Sequence, residues 1–337
     1  MRRRAFLTVT GGTLLAPWAE ADAPPPAVVD LHVDLSYQLN YEGKGIDRAS
    51  GNLLADELTA SGYVGLVLPL YIPHDVSKDG PRASDLEQSY RRLIGELRQR
   101  PPFATPGTVR GARPVQTWLS FEGAAPLAGA SVRQVASWVA RGVRLFGLVH
   151  MYDNAVASSS GRTAAFRSVP QGLTDAGRDL VERVHQMGGV VDVSHASDAT
   201  VDDVLEMARS AGSPVVATHS NARALARHSR NLDDQRLRAI GESGGVVGVN
   251  FHGPYLVTGR RAQMSDVVRH IQHMVNVAGV EHVAIGSDFE GGIQEPPGLE
   301  DVRGLPRLAA LLRAQGLPRE VIERVFAKNA LRVLAGR

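Results

Sequence analysis

Short runs of apolar, often β-branched residues recur eight times along the chain, with segments of helical apolar spacing between them. Runs without polar alternation are typical of strands buried on both faces, as in parallel sheets. Eight strands alternating with helices predict an α/β fold, a single-domain (β/α)8 barrel of the TIM type. The predicted strands are residues 28–34, 64–71, 115–121, 143–150, 190–194, 214–218, 245–251 and 282–287.

Helical segments fill most of the intervals between these strands. Thr174 is the expected N-cap of one helix, and Gly142 is the expected stop of another. Polar residues 153–172 indicate a long loop over one rim of the barrel. The other predicted helices lie near residues 53–60 and at 84–100, 132–141, 197–207, 235–243, 265–278 and 318–334.

The first 23 residues have the features of an export signal. The pair Arg3 and Arg4 precedes Phe6, an apolar stretch follows to residue 18, and the small residues Ala21 and Ala23 come next. The arginine pair resembles the twin-arginine type of signal, and the apolar stretch is short for a membrane span. We expect an exported protein, periplasmic or extracellular, with a linker at 24–27 and the barrel at 28–337. An uncleaved signal would tether it to a membrane, and we expect no membrane span in the mature chain.

The composition excludes several classes of function. The 37 basic and 35 acidic residues are scattered along the chain without a basic stripe, so we expect no nucleic-acid partner. The chain contains no cysteine, which rules out disulfides, zinc-thiolate sites and a cysteine nucleophile.

Six of the eight predicted strands end in a side chain that binds metals. One such residue alone is often a satisfied polar group, but the carboxyl ends of barrel strands all meet at one mouth, where catalytic residues lie. These side chains are His32 and Asp34, Glu122, His150, His195, His219 and Asp288, and Asn250 lies near the end of the seventh strand. The remaining histidines, expected mostly at the surface, are His74, His185, His228, His252, His270, His273 and His282.

This mixture of imidazoles and carboxylates suits zinc or a similar divalent ion. Five or more ligands exceed one tetrahedral zinc, so two ions bridged by a carboxylate fit the count better. Side chains two apart on a strand share a face, so His32 and Asp34 can bind the same ion. None of the three lysines, at positions 44, 78 and 328, ends a predicted strand. The bridge is therefore expected to be Glu122 rather than a carboxylated lysine.

Eight motifs in order along the chain resemble those of the membrane dipeptidases, the renal dipeptidase family. They are Asp30-Leu-His-Val-Asp34, Ser120-Phe-Glu-Gly123, His150-x-x-x-Asn154, Leu173-Thr-Asp-Ala-Gly-Arg178, Asp192-Val-Ser-His195, His219-Ser-Asn-Ala-Arg223, Arg230-Asn-Leu-Asp-Asp234 and Ile285-Gly-Ser-Asp-Phe-Glu-Gly291. The resemblance implies an amidohydrolase-like barrel that holds two zinc ions per chain and cleaves dipeptides with a metal-activated water. It also implies a homodimer and acceptance of a D-residue at the dipeptide's C-terminal side.

The resemblance also implies a ligand set. His32 and Asp34 would bind one zinc ion, His195 and His219 the other, and Glu122 would bridge them.

Three further residues receive roles in the same way. His150 would face the scissile carbonyl and stabilise the oxyanion. Arg230 would hold the C-terminal carboxylate of the substrate. Asp288 would bind substrate too and handle the proton of the attacking water and the leaving amine.

The chain departs from the family pattern at a few positions. Glu290 stands where aspartate is usual and Val33 where asparagine is frequent, and both changes are expected to have small effects. Residues 151–170 match poorly, so the preferred side chains of the substrate do not follow from the resemblance. Two alternatives stay open: another metal-dependent amidohydrolase acting on a β-lactam, a lactone or an N-acyl amino acid, and an exported binding protein with a dead site. The intact ligand set argues against the second.

Overall fold

The structure is a computed structural model that describes residues 24–46, 51–76, 80–100, 102–106, 115–161 and 172–336. The predicted export signal at 1–23 lies outside these residues, as does part of the predicted rim loop. The linker residues 24–27 have no regular secondary structure. No helix within the described ranges is long and apolar enough to cross a membrane.

Eight parallel strands close into a barrel in sequence order, which confirms the predicted (β/α)8 fold. The last strand pairs with the first through Ile285 and Asp30. Strands are short and almost wholly buried, as their unbroken apolar runs predict. They are β1 Val28–Asp30, β2 Tyr63–Tyr71, β3 Gln116–Glu122, β4 Val143–Gly147, β5 Val190–Asp192, β6 Val215–Ala217, β7 Val246–Val249 and β8 Val283–Ile285.

Helices surround the barrel, and polar side chains fix the start of several. The hydroxyl of Thr174 accepts a hydrogen bond from the amide of Gly177, so this predicted cap is confirmed. Ser131, Ser197 and Asp233 cap three other helices in the same way. The helices are α1 Leu35–Asn40, α2 Ala83–Gln99, α3 Val132–Ala140, α4 Asp175–Gln186, α5 Asp198–Ala211, α6 Asp234–Glu242, α7 Gly253–Leu256, α8 Met264–Ala278, α9 Gly304–Ala314, α10 Arg319–Glu323 and α11 Asn329–Leu334.

Some predicted elements differ in extent. Six of the eight strands end one to four residues earlier than predicted, because their strand pairing stops before the polar side chains at the mouth. The helix predicted near 53–60 is only a 3-10 turn at Ala55–Glu57. Helix α9 was not predicted. The helix predicted at 318–334 is split into α10 and α11 by a π-helical turn at Arg324–Lys328.

The C-terminal helices close the end of the barrel opposite the mouth. Barrel-interior side chains, including Val29, Val190 and Val246, pack with Ala330 and Leu334 in one apolar cluster. The side-chain amide of Asn329 donates to the carbonyls of Val280 and Val283 at the start of β8. Each valine buried in this way stabilises the fold by roughly 1.5–3 kcal/mol. The apolar interior fills this end of the barrel, and the polar strand-end residues line a cavity at the opposite end.

Two glycines allow a close approach at the open end. A Cβ atom at Gly248 or Gly286 would overlap the carbonyl oxygen of Thr218. Strands β6, β7 and β8 therefore approach more closely here than residues with side chains permit. This contact fixes the backbone of Thr218 and, with it, the position of the adjacent His219.

Candidate metal centre

Four histidines that follow four different barrel strands converge on one carboxylate oxygen. The Oε1 atom of Glu122 lies 3.6 Å from Nε2 of His32, 3.9 Å from Nε2 of His150, 3.0 Å from Nε2 of His195 and 3.7 Å from Nε2 of His219. Glu122 ends β3, and the histidines follow β1, β4, β5 and β6. Strand-end residues separated by up to 187 positions thus share one site, as the barrel topology predicts.

The two remaining acids complete this cluster. Oδ2 of Asp34 lies 3.4 Å from Nε2 of His32, and ligand atoms of His32, Asp34 and Asp288 lie within 4.8 Å of one another. Two more groups of three satisfy the same limit and share Glu122. They are His32, Glu122 and His219, and Glu122, His150 and His195. The seven predicted strand-end residues therefore form one contiguous cluster.

The donor atoms fit a metal site. Nε2 of His32 and Nδ1 of His195 are buried and have no hydrogen-bond partner among the described residues. Leaving buried polar atoms unpaired is costly, and a bound ion or substrate would satisfy them. Three imidazoles with two or three carboxylates are a nitrogen and oxygen set of the kind that zinc prefers.

Burial and crowding of charge perturb the acids of the cluster. Burial, reinforced by the charge of Asp34, raises the pKa of Glu122 well above its usual range. The same two causes raise the pKa of Asp288 to about 7. Burial alone would lower the pKa of His32, but the carboxylates of Asp34 and Glu122 outweigh it and raise this pKa to about 10. Cations in the cluster would oppose the mutual repulsion of these carboxylates.

The other three histidines of the cluster are kept neutral by their surroundings. Burial lowers the pKa of His195 and His219 well below 6.5, and Arg230 and His32 add to the effect. Burial lowers the pKa of His150 to about 4. A neutral imidazole has one lone pair and one N–H, so each of these rings can ligate a metal or donate one hydrogen bond.

The backbone at two site residues adopts a conformation that is rare outside glycine. The φ angles of His195 and Asp288 are 65° and 69°. The carbonyl of His195 accepts hydrogen bonds from the amide of Ser160 and from the hydroxyls of Ser159 and Ser160. Strain of this kind costs roughly 1–3 kcal/mol and concentrates at functional sites. The serines of the rim loop thus stabilise the geometry of a candidate ligand.

The cluster forms the floor of a cavity of about 570 Å³. Arg230 lies in its wall and is almost fully buried, with its guanidinium 5.5 Å from the ring centre of Tyr255. The Nε of Arg230 has no hydrogen-bond partner in the part of the chain that is described, whereas one terminal nitrogen donates to the carbonyl of His219. A buried arginine with free donors beside a cavity is suited to an anionic ligand.

Sequence reasoning missed several residues of this cavity, including Tyr71, His252 and Tyr255. His252 was expected at the surface. Its backbone amide donates to Oδ1 of Asn250, whose side-chain amide donates to Oδ2 of Asp288 over 2.9 Å. The position of Asn250 near a predicted strand end was the only signal for this contact. Tyr71 ends β2 and Tyr255 lies in the short α7, and apolar periodicity marks neither of them as a cavity residue.

The expectation that the remaining histidines lie mostly at the surface needs correction, and the structure also gives Glu290 a contact. His270 was expected at the surface but is 1% exposed, because Nδ1 accepts from the amide of Ala222 and Nε2 donates to the carbonyl of Leu256. Of the seven remaining histidines, His74 is exposed and the other six are buried or half-buried. Glu290 is buried and accepts a hydrogen bond from the amide of Leu53, so this acid holds a neighbouring loop.

Comparison with known proteins agrees with the geometry. The membrane dipeptidase family, peptidase family M19, matches residues 25–336. An uncharacterized dipeptidase of Schizosaccharomyces pombe is 35% identical over 207 residues, which are 60% of this chain and 49% of that relative. The matched segment thus spans about half of the relative's length.

Two solved structures are similar over nearly their whole length. The crystal structure of dipeptidase AC, a metallopeptidase of family M19, is 29% identical, has a TM-score of 0.79, and the match covers 92% of this chain and 98% of that one. A metallopeptidase of Rhodobacter sphaeroides, liganded with a phosphinate mimic of the dipeptide L-Ala-D-Ala, is 28% identical with a TM-score of 0.78, covering 92% and 99%. The chain therefore belongs to the membrane dipeptidase family of metal-dependent peptidases.

Proposed function

We propose that this protein is a two-zinc dipeptidase. The observation that carries the proposal is the convergence of four imidazoles and two carboxylates around Glu122, beside the buried Arg230 in one cavity. A cavity of about 570 Å³ lies within the usual range for small-molecule sites and accommodates a ligand of dipeptide size.

Five residues would hold the metals. His32 and Asp34, 3.4 Å apart, would bind one ion, and His195 and His219 would bind the other. Glu122 lies within 4 Å of a ring nitrogen of His32, His195 and His219, and these distances support its proposed role as the bridge between the ions. Zinc in such a site polarises carbonyl oxygens and lowers the pKa of bound water.

His150 is proposed to stabilise the developing oxyanion. Its pKa of about 4, lowered by burial, leaves it neutral at pH 7 with one N–H to donate. It is the most exposed histidine of the cluster, with its side chain 29% accessible, so a substrate can reach it. A donor aimed at the position where negative charge develops is worth several kcal/mol in the transition state.

Arg230 is proposed to bind the substrate's terminal carboxylate. The guanidinium is a rigid fork that matches a carboxylate, and its burial beside Tyr255 removes competing water. This requirement for a free C-terminus, close to the reacting centre, would limit the enzyme to short substrates.

Asp288 is proposed to hold and move the proton. Its pKa of about 7, raised by burial and by Asp34, allows it to accept a proton from the attacking water and return it to the leaving amine. The side-chain amide of Asn250 orients its carboxylate.

The preferred stereochemistry is part of the proposal. The relative that binds a mimic of L-Ala-D-Ala supports acceptance of a D-residue at the C-terminal position. Hydrolysis of L-Ala-L-Ala and L-Ala-D-Ala by the purified full chain, with zinc restored after chelation and metal content measured on the same sample, tests this. We expect two zinc ions per chain and turnover of both peptides, and no turnover by the isosteric variant Glu122→Gln.

Other results in this experiment would favour one of the two alternative functions. If the zinc-loaded protein hydrolyses no dipeptide but turns over a β-lactam, a lactone or an N-acyl amino acid, this result would support the alternative hypothesis of another metal-dependent amidohydrolase. Zinc well below one ion per chain would support a binding protein with a dead site.

The cellular location and assembly are proposed from the sequence and the family resemblance. We infer that residues 1–23 direct export and that the chain forms a homodimer. Fusion of residues 1–23 to a folded fluorescent reporter should export it, and changing Arg3 and Arg4 together to lysine should retain it in the cytoplasm. Sedimentation of the purified protein should give twice the chain mass; a monomer would contradict the dimer.

A further inference from the structure

Asp192, at the end of β5, is buried behind the histidines and has a fixed hydrogen-bonding pattern. Its Oδ1 atom accepts from the backbone amides of Ser194 and Thr218, over 2.9 and 3.0 Å. Its Oδ2 atom accepts from the hydroxyl of Thr218 over 2.6 Å. A carboxylate only accepts, so the single hydroxyl proton of Thr218 points to Asp192.

The same hydroxyl oxygen faces two of the candidate metal ligands. Oγ1 of Thr218 lies 2.9 Å from Nδ1 of His219 and 3.5 Å from Nδ1 of His32. Because its own proton is engaged, the hydroxyl can only accept from these rings. Each Nδ1 that contacts it must therefore carry a hydrogen, so the lone pair of the neutral, metal-binding ring is on Nε2, the atom that faces Glu122.

We propose that Asp192 and Thr218 are positioning residues that fix the metal-binding tautomer of His219 and, through the longer contact, of His32. The inference rests on the proposed two-zinc function, because it assigns one hydroxyl to ligands of both ions. Hydrogen bonds from a ligand's second nitrogen set ring orientation and ligand basicity at metal sites generally.

The surroundings of Thr218 support a specific role. Its side chain is fully buried, and its backbone is fixed by the close approach of Gly248 and Gly286. Nδ1 of His195, by contrast, has no hydrogen-bond partner within the described ranges. The hydrogen-bond relay from Asp192 through Thr218 therefore contacts His219 and His32 and not every histidine of the cluster. The competing explanation is that Thr218 only satisfies the buried charge of Asp192.

The variant Asp192→Asn separates the two explanations. The two backbone amides need an acceptor, so they hold the asparagine oxygen at the Oδ1 position and turn its NH2 group toward Thr218. The hydroxyl must then accept from asparagine, and its nearest remaining acceptor is Nδ1 of His219 at 2.9 Å, closer than Oγ of Ser194 at 3.2 Å. Donation to Nδ1 moves the ring hydrogen to Nε2. We expect the 15N spectrum of metal-free, histidine-labelled protein to show this reversal, and zinc affinity to fall about 10–100-fold.

Two variants at Thr218 and a matched control complete the test. Thr218→Val removes the acceptor and should weaken zinc binding, more at the His219 site than at the His32 site, whereas Thr218→Ser should bind zinc as the wild type does. Thr117→Val, which removes a buried hydroxyl that donates to the carbonyl of Ala104 outside the metal cluster, controls for the general cost of such a change. It should leave zinc affinity unchanged.

The outcomes distinguish this inference from the proposed function. A wild-type protein that binds two zinc ions and cleaves dipeptides, while Asp192→Asn and Thr218→Val keep wild-type affinity, would overturn only the relay. An Nε2–H tautomer of His219 in the metal-free wild type would overturn it too, even if the variants fail to fold. A wild type without zinc or dipeptidase activity would overturn the proposed function and the relay with it.

Discussion

The Nε2 atoms of His195 and His219 lie 2.9 Å apart, although 24 residues separate them in the chain. They follow the adjacent strands β5 and β6, so the parallel pairing of these strands brings the two rings together. Two ring nitrogens at this distance, both close to Glu122, are near enough to bind the same ion, as proposed above.

Replacing His195 by alanine should remove one of two zinc ions and leave the other. The reason is that, in the proposed assignment, the other ion is bound by His32 and Asp34, whose ligand atoms lie 3.4 Å apart. Metal analysis after dialysis should give about one zinc per chain, while His185→Ala, in α4 outside the cavity, should retain two. Loss of both ions from a folded variant would mean that the two sites do not bind independently.

Arg230→Ala should raise KM for dipeptides with little effect on folding. Truncating a buried partner of a carboxylate costs about 2–5 kcal/mol, which corresponds to roughly 30-fold or more in kcat/KM. Steady-state kinetics on a dipeptide and on its C-terminal amide measure the effect. The KM of the variant should exceed that of the wild type for the dipeptide and should be similar for the C-terminal amide. An unchanged KM for the dipeptide would show that Arg230 does not bind the carboxylate.

Asn250→Ala should move the acidic limb of the pH–rate profile to higher pH. The hydrogen bond from Asn250 stabilises the ionised form of Asp288 and so lowers its pKa. Losing a hydrogen bond to a charged group shifts a pKa by about one unit. Asn250→Asp adds a like charge and should shift the limb further. Profiles of kcat/KM that superimpose on the wild type would show that Asn250 does not tune Asp288.

The buried His270 should make the protein less stable in mild acid. Burial lowers its pKa to about 4, whereas an unfolded histidine takes up a proton near pH 6.5. The stability that this group contributes is present above pH 6.5 and is lost as the pH falls toward 4, by about 2 kcal/mol at pH 5. Denaturant unfolding of the metal-free protein at pH 7 and pH 5 should show this loss, and His270→Gln should reduce it. Equal losses in both proteins would contradict a buried neutral His270.

The fold and the candidate metal-binding residues could be predicted from local patterns. Unbroken apolar runs at eight places specified buried parallel strands, and their regular alternation with helices specified the barrel. A polar residue at the end of such a run must lie at the mouth, which is why Glu122 and His219 were found without coordinates. The split of the C-terminal helix was not predicted, because one π-helical turn leaves the spacing of apolar residues almost unchanged.

The sequence by itself determined the barrel and which side chains reach its mouth, because strand and helix periods are local properties of the chain. Only the tertiary structure decided which of these side chains touch. Closure of the barrel brought His32 from the first strand beside His219 from the sixth, and the same closure aimed one threonine hydroxyl at both rings. It also buried His270, turned Glu290 away from the metal cluster, and placed Tyr255 against Arg230. These contacts depend on strand stagger and on the paths of the loops, which arise from packing across the whole barrel. Neither produces a periodic pattern in the sequence.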